Sequence, residues 1–210
     1  MDNRPQQRQQ FAELASSTRV DAVIAGLIAR GFGVEVVRDA AAAKQRVLEM
    51  IPIGSAVFTG TSLTLEQSGI ADELDHSGRF DAIRPKALKL DRATQRGEIK
   101  KLMSGPGFVV GSCHAITEDG AVMTASATGS QISHYAFDAD RVILVCGTQK
   151  LVRDEREGMR RIEDYCLPLE SERTKKAYGV PATLATILTA RIDYPAKRTS
   201  IILVTQELGF

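Results

Sequence analysis

The run Arg141–Cys146, with the sequence RVILVC, is the stretch that most restricts the possible folds of this chain. Its four consecutive branched aliphatic residues leave no polar face, so a strand built from them must be buried on both sides. Strands of this kind are typical of parallel sheets covered by helices. Two further segments, 55–60 (SAVFTG) and 201–204 (IILV), have the same character.

Segments with helical periodicity alternate with these strands. A helical pattern over 11–30 precedes a short strand pattern at 33–37, and Asp39 then caps an alanine-rich helix whose Val47, Leu48 and Ile51 should face the core. The apolar residues that carry the first pattern are Leu14, Val23, Ile24, Leu27 and Ile28. This alternation predicts parallel pairing of the strands through right-handed crossovers.

The remaining segments have less regular patterns of apolar residues. The sequence predicts a helix over 65–74 (LEQSGIADEL), a helix from Asp91 through Met103 with a buried stripe, and an amphipathic helix over 154–166. The stripe consists of Ile99, Leu102 and Met103. Residues 167–198 contain three prolines and fit either a helical excursion or a subdomain.

The chain is therefore expected to form one α/β domain over 11–210, after a flexible lead-in over 1–10. Its architecture should be a mostly parallel central sheet with helices on both faces and a small helical excursion.

Composition excludes several classes of function. Twenty-seven Lys and Arg residues nearly balance 26 Asp and Glu residues, and the chain has no Trp, which argues against nucleic-acid binding. No apolar run is long enough to span a membrane, and the polar start of the chain does not resemble a signal peptide. Three widely spaced cysteines without a C-x-x-C motif support neither a zinc site nor a disulfide framework, so we expect a cytoplasmic protein.

The segment between Arg79 and Lys101 is basic, since it contains eight Lys or Arg residues and only three acidic residues. It is either a solvated helical face or a basic rim that steers an anionic ligand. Charge runs of this kind are usually solvated faces, and that interpretation is favoured here.

The first candidate site follows the strand at 55–60. Gly60 is followed by the hydroxyl residues Thr61, Ser62 and Thr64, and Glu66 lies in the helix that begins there. Such a loop at the carboxyl end of a strand can bind phosphate or carboxylate through backbone amides and hydroxyl groups. The alternative is that these residues only cap the helix and form a tight turn, and the two interpretations are about equally supported.

The second candidate is the segment Ile116–Val122 (ITEDGAV), in which Glu118 precedes Gly120 by two residues. A carboxylate packed against a pocket there would serve as a nucleophile or general base. The simpler interpretation is a hairpin, because Asp119-Gly120 is a strong type I′ turn signal.

The third candidate repeats the pattern of the first. Thr128, Gly129 and Ser130 form a small-residue turn at the start of a helix, and two such loops in one α/β domain are expected to line one cleft. His134 projects from the same helix, where a single histidine is usually a packing or surface residue.

The fourth candidate is Lys150, which follows the RVILVC strand and would meet an anionic group or lie in a solvated loop. Cys146 is interpreted as a small core residue. The neighbouring pair Cys113-His114 is not expected to act as a catalytic dyad, since adjacent residues in an extended segment point to opposite faces.

Several of these segments together resemble the LUD domain family. They are AVFTGTSLTLEQSGI (56–70), AITEDGAVMTASATGSQ (115–131), DRVILVCGTQKLV (140–152) and ILVTQELGF (202–210). The resemblance extends over about Phe11 to Phe210, with the motifs in family order.

The resemblance implies a fold similar to the group of ribose-5-phosphate isomerase, glucosamine-6-phosphate deaminase and the CoA transferases. It also implies a role in oxidation of L-lactate to pyruvate, alongside iron–sulphur oxidoreductase partners. Some relatives carry a cysteine cluster before the last strand, but residues 177–198 contain no cysteine, so no cofactor is expected in this chain. Glu118 and Gly120 distantly resemble the glutamate-x-glycine motif of CoA transferases, although the flanking motif is incomplete.

These observations lead to alternative functions. The chain is either a subunit or accessory protein of lactate oxidation that binds a small anion between the two loops, or an independent enzyme that uses Glu118 on a CoA-linked or phosphorylated metabolite. A third alternative is a regulatory module without a reaction of its own. A homo-oligomer is compatible with each of them.

Overall fold

The structure is a computed structural model that describes residues 10–210. The predicted lead-in over 1–10 therefore lies, except for Gln10, outside the described residues. The α-helices are α1 Ser17–Ala29, α2 Ala40–Met50, α3 Leu63–Gln67, α4 Ile70–His76, α5 Ile83–Leu88, α6 Arg96–Met103, α7 Ser130–Ser133, α8 Glu155–Arg160 and α9 Leu167–Tyr178. Two π-helical turns, His134–Asp138 and Arg161–Cys166, follow α7 and α8, and a 3₁₀ turn occupies Thr148–Lys150.

The strands form two sheets. They are β1 Gly33–Val37, β2 Ala56–Thr59, β3 Asp81–Ala82, β4 Phe108–Gly111, β5 Ala115–Thr117, β6 Val122–Ser126, β7 Arg141–Gly147, β8 Leu151–Val152, β9 Thr186–Ala190 and β10 Thr199–Val204. The main sheet has six parallel strands in the order β1-β10-β7-β4-β2-β3. The predicted parallel α/β sheet is confirmed.

Both faces of the main sheet are buried, as the RVILVC run requires. Val142 and Leu144 pack with α1 on one face, whereas Ile143 and Val145 pack with α2, α3 and α4 on the other. The alternation of these side chains explains why a strand without polar residues is needed at this position.

The second sheet was not predicted. Its order is β8-β5-β6-β9, with β5 parallel to β8 and β6 antiparallel to both neighbours. It shares a face of the main sheet with α1, through Ile116, Val122 and Leu151. Residues 167–198 therefore supply α9 and then strand β9, so they are not an all-helical excursion.

Several predicted helices have different limits. The first begins only at Ser17, with Ser16 as its N-cap, and Leu14 and Ile28 are exposed instead of buried. The segment 65–74 is divided because Gly69 adopts a left-handed conformation between α3 and α4. Asp91 accepts hydrogen bonds in a turn, from the amide of Ala93 and the hydroxyl of Thr94, and does not cap a helix.

Helix α6 consequently begins at Arg96, and its apolar residues are only partly buried. Asp39, by contrast, caps α2 as predicted, accepting from the amide of Ala42 at 2.8 Å. The helix predicted over 154–166 is present as α8 and its π-helical turn, with Asp154 as N-cap.

The predicted hairpin at Asp119-Gly120 joins β5 to β6, but its turn type differs. Only Gly120 has a positive φ, of 87°, and its amide donates to the carbonyl of Thr117. This is the geometry of a three-residue loop with a glycine bulge, not of a type I′ turn, in which two residues need a positive φ.

Candidate active site

The carboxyl edge of the main sheet is where the two sheets meet. Strands β4 and β7 are parallel neighbours in the main sheet, and the chain continues from them into β5 and β8, which are parallel neighbours in the second sheet. The two links, Ser112–His114 and Thr148–Lys150, therefore run side by side. From β2 the chain passes to its neighbour β3, whereas from β4 it passes to β7 on the other side. Open α/β sheets hold ligands at such a reversal.

Lys150 lies at this position and is 2% exposed. Its Nζ donates to Thr64 Oγ1 at 2.9 Å and to Ser112 Oγ at 3.2 Å. The two hydroxyl groups are 3.3 Å apart, so the three side chains form one compact group. We refer to Lys150, Thr64 and Ser112 as the Lys150 cluster.

The segment Glu207–Phe210 covers this cluster. The carbonyl of Leu208 accepts from Thr64 Oγ1 at 3.2 Å and from Gln149 Nε2 at 2.9 Å. Gly209 packs so closely that an added Cβ would overlap Thr64 Oγ1 and lie 3.3 Å from Lys150 Nζ. Only a residue without a side chain fits here, because Gly209 also has a positive φ of 63°.

A second buried cation, Arg161, lies nearby and is 0% exposed. Its NH1 donates to the carbonyl of His114 at 2.6 Å and to Cys166 Sγ at 2.9 Å, and its NH2 donates to the carbonyl of Phe11 at 3.3 Å. The guanidinium also lies over the ring of Tyr165, 5.1 Å from its centroid. Within residues 10–210, its Nε has no hydrogen-bond partner.

Burial and neighbouring positive charges shift the pKa values of Lys150 and His114. Burial lowers the pKa of Lys150; Cys146 acts against this shift, and the charge of Arg161 acts in the same direction as burial. Burial, together with the charges of Lys150 and Arg161, lowers the pKa of His114 to about 3. His114 is therefore neutral at physiological pH, and its Nδ1 accepts the amide hydrogen of Ala125 at 3.1 Å.

Two of the cysteines also belong to this region. Cys113 and Cys146 are free thiols whose sulfur atoms lie 3.5 Å apart, with Cys113 as donor. This hydrogen bond lowers the pKa of Cys146 and raises that of Cys113. Both residues are buried in the core cluster, as predicted for Cys146.

No carboxylate forms an ion pair with Lys150 or Arg161 in the part of the chain that the structure describes. A buried ammonium group without an acidic partner is costly, since desolvation is not repaid by an opposite charge. The arrangement can therefore accept a negative charge from outside the chain.

The residues predicted in the first loop have separate environments. The amide of Gly60 donates to the carbonyl of Val110 at 2.8 Å, and Gly60 packs against the Tyr135 hydroxyl. Thr64 belongs to the Lys150 cluster. Thr61 and Glu66 are exposed, and Ser62 is the N-cap residue of α3 without a side-chain cap.

The second loop is self-contained. Thr128 Oγ1 donates to Ser130 Oγ at 3.1 Å, and the amide of Gly129 donates to Ser126 Oγ at 2.9 Å. Tyr135, in the π-helical turn that follows α7, packs its hydroxyl group against Gly60 of the first loop. Within this turn His134 is a packing residue, with its ring 4.5 Å from that of Phe58.

Glu118 lies on the β5–β6 hairpin and is bound to another element. Its Oε1 accepts from Arg19 Nε of α1 at 2.9 Å, and both side chains are about one third exposed. The backbone of this hairpin packs directly against the backbone of α1, at Gly120 and Gly26, and neither of these residues has a side chain. Thr64 and Lys150 are therefore in direct contact, whereas Glu118 forms its ion pair with Arg19.

Three residues of this region were not singled out from the sequence: Ser112, Gln149 and Arg161. Ser112 follows the end of β4, and its place beside β2 and β7 could be inferred only from the strand order. Arg161 resembles any polar residue of an amphipathic helix, since sequence periodicity does not reveal that a π-helical turn rotates it into the core.

Two general properties bear on function. Within residues 10–210, no three His, Cys, Asp or Glu side chains are grouped in a way that would hold a metal ion. The helices in the described range are too short or too polar to traverse a lipid bilayer.

Comparison with known proteins identified a family and a similar fold. A family model described as LUD domain matches residues 20–204. The crystal structure of a DUF162 family protein from Deinococcus radiodurans superposes with a TM-score of 0.53 and 15% sequence identity, over 91% of this chain and 99% of that one. At this identity the likeness concerns the fold alone. No curated protein matched the chain.

Proposed function

Since the chain belongs to the LUD domain family, we propose that it binds a small carboxylate at the Lys150 cluster and takes part in oxidation of L-lactate to pyruvate. The binding site and the pathway are separate parts of this proposal, and each has its own experiment.

The observation that carries the binding site is the buried ammonium group of Lys150. Its partners are the neutral hydroxyl groups of Thr64 and Ser112, and Arg161 adds a second positive charge nearby. A carboxylate would supply the missing negative charge and accept charge-assisted hydrogen bonds from the same groups. A phosphate group would meet the same donors, so it is the competing ligand class.

The carbonyl of Leu208 indicates where such a ligand would bind. This oxygen now accepts from Thr64 and Gln149. A carboxylate oxygen is an acceptor of the same kind, with a full charge that Lys150 would neutralise. Binding therefore requires the segment Glu207–Phe210 to move, and the ligand compensates for the hydrogen bonds that this segment loses.

A thermal-shift titration tests the binding site. The compounds are pyruvate, L-lactate, inorganic phosphate and acetyl-CoA, the last two representing the alternative of a phosphorylated or CoA-linked metabolite. A ligand at a hundred times its Kd adds about 2.7 kcal/mol to the free energy of unfolding, which raises the melting temperature by several degrees. We expect pyruvate and L-lactate to give a shift and acetyl-CoA to give none.

Two matched variants locate the ligand. Thr64→Val removes the hydroxyl group of the cluster with little change of volume and should abolish the shift. Thr128→Val makes the same change in the second loop and should leave the shift intact. Equal loss in both variants would instead support a ligand held between the two loops.

The role in lactate oxidation is supported by the family and by the class of ligand. Deletion of the gene should impair growth on L-lactate but not on glucose. An affinity-tagged chain should also recover iron–sulphur oxidoreductase subunits from lactate-grown cells, since this chain has three cysteines and a four-thiolate cluster needs one more. Unimpaired growth on L-lactate would refute the pathway assignment while leaving the binding site open to direct measurement.

A further inference from the structure

We infer that Lys150 is a reactive amine that forms an imine with 2-oxo acids bound at the Lys150 cluster. The inference rests on the proposed carboxylate site and adds to it a covalent step and a narrower ligand class. It is carried by the contacts of Nζ, by the position of the covering segment and by the neighbouring cation.

The contacts of Nζ distinguish Lys150 from ion-paired lysines of the chain. Lys44 Nζ lies 3.1 Å from Glu73 Oε2, and Lys86 pairs with Asp81, so each of them has a carboxylate as its partner. Lys150 Nζ contacts the hydroxyl groups of Thr64 and Ser112 instead. A hydroxyl group can accept from an ammonium group or donate to a neutral amine, so these contacts accommodate both protonation states.

The surroundings lower the pKa of Lys150, so the ammonium group that pairs with a carboxylate releases its proton to give the neutral, nucleophilic amine more readily than an exposed lysine does. Burial is the largest cause of this shift; Cys146 opposes it, and Arg161 adds to it. Lysines that react with carbonyl compounds are activated by these two effects, desolvation and a neighbouring cation.

The covering segment indicates the orientation of a 2-oxo acid. The peptide group between Leu208 and Gly209 is planar and presents its oxygen to Thr64 and Gln149, while Gly209 lies against Lys150 Nζ. A planar carboxylate in place of this peptide group would direct the adjacent carbonyl carbon toward Nζ. The reacting atoms would then be close, as covalent chemistry requires.

The reaction is balanced without an oxidant or a reductant. The lone pair of neutral Nζ forms a bond to the carbonyl carbon, and the electrons of the C=O π bond move to the oxygen. That oxygen takes a proton from the nitrogen, with the hydroxyl of Ser112 or Thr64 as relay, to give a carbinolamine. Loss of water, formed from the hydroxyl group and the second nitrogen proton, leaves the imine.

Borohydride trapping of the full chain tests this inference. The protein is incubated with pyruvate, reduced with sodium borohydride, and analysed by intact mass and peptide mapping. We expect one adduct per chain on the peptide that contains Lys150. L-lactate has the carboxylate without the ketone, so it should bind without forming an adduct.

Lysine variants identify the reacting amine. Lys150→Arg keeps the positive charge and should reduce trapping at least tenfold, whereas Lys100→Arg, at an exposed lysine of α6, should leave it unchanged. Lys150→Met is a second test if the larger arginine does not fit the buried position. Cooperative thermal unfolding shows that each variant is folded.

The outcomes separate the two proposals. A thermal shift with pyruvate but no adduct would overturn the imine and retain the carboxylate site. Neither a shift nor an adduct would overturn both. Adducts spread over exposed lysines and insensitive to Lys150→Arg would also overturn the imine, because they would show ordinary surface chemistry.

Discussion

The buried cations Arg198 and Lys150 lie at opposite ends of the strands of the main sheet, and the groups that surround them differ. Arg198, at the amino end of β10, is 9% exposed, and Lys150, beyond the carboxyl end of β7, is 2% exposed. Arg198 donates to the carbonyls of Ala139, Tyr135 and His134 at 2.9, 2.7 and 2.6 Å. Lys150 donates instead to the hydroxyl groups of Thr64 and Ser112, at 2.9 and 3.2 Å.

This difference distinguishes a structural charge from a charge available to a ligand. Three carbonyl dipoles, fixed by the π-helical turn His134–Asp138, surround the Arg198 guanidinium and connect that turn to β10. The partners of Lys150 are themselves hydrogen-bond donors and can turn toward another molecule. Arg198 and Lys150 are both buried, so burial does not distinguish them. The chemical type of their hydrogen-bond partners does.

Replacement of Arg198 should have the largest effect on stability. Arg198→Met removes three charge-assisted hydrogen bonds to carbonyl groups, and we expect a loss of about 3 kcal/mol in the free energy of unfolding. Urea denaturation measures it. A loss below about 1 kcal/mol would contradict the structural role assigned to these hydrogen bonds.

Acidification should reveal the positive charge at the carboxyl edge. His114 has a pKa of about 3 in the folded protein against about 6.5 when unfolded, so the unfolded chain binds an extra proton as pH falls below 6.5. Stability should therefore decrease between pH 6.5 and 3, with about 1–2 kcal/mol lost by pH 5. His114→Gln should remove this part of the pH dependence in urea titrations, while a variant at exposed His76 should retain it.

Replacement of Lys150 should change stability little. Lys150→Met removes a buried charge that has no acidic partner among residues 10–210, so the free energy of unfolding should stay within about 1 kcal/mol of the wild type or increase. Because the folded-state pKa of Lys150 is lowered, the wild type should gain stability relative to this variant as pH rises toward the ordinary lysine pKa. A loss of several kcal/mol would make Lys150 a structural charge like Arg198.

The smallest effect is expected at Glu118. Its ion pair with Arg19 is partly exposed, so Glu118→Gln should cost less than about 1 kcal/mol. The thermal shift with pyruvate should be unchanged, because Glu118 does not belong to the Lys150 cluster. Loss of a measured turnover in this variant, with ligand binding intact, would support the alternative in which Glu118 is the catalytic carboxylate.

Much of the main sheet could be predicted from sequence, because its signals are local. Strands β2, β7 and β10 were expected from apolar runs, β1 from an alternating pattern, and α2 from its Asp39 cap. The second sheet could not be predicted, since β5 and β8 have only three and two residues and are stabilised by pairing with distant segments.

The candidate site divides in the same way. Thr64 and Lys150 could be proposed from their positions after apolar strands, because the carboxyl ends of parallel strands share one edge. The contact between Thr64 and Lys150, and the place of Ser112 beside them, depend on the order of β2, β4 and β7 in the sheet. No sequence motif marks Ser112.

Local patterns of apolar and capping residues were thus sufficient to determine the class of fold and the edge of the sheet at which the proposed site lies. The partners of each buried charge were decided by the tertiary structure. A charge is stabilised by whatever dipoles and ions surround it in space, and segments far apart in the chain supply them. The carbonyls around Arg198 lie about 60 residues away in the sequence, and the hydroxyl groups beside Lys150 lie 86 and 38 residues away.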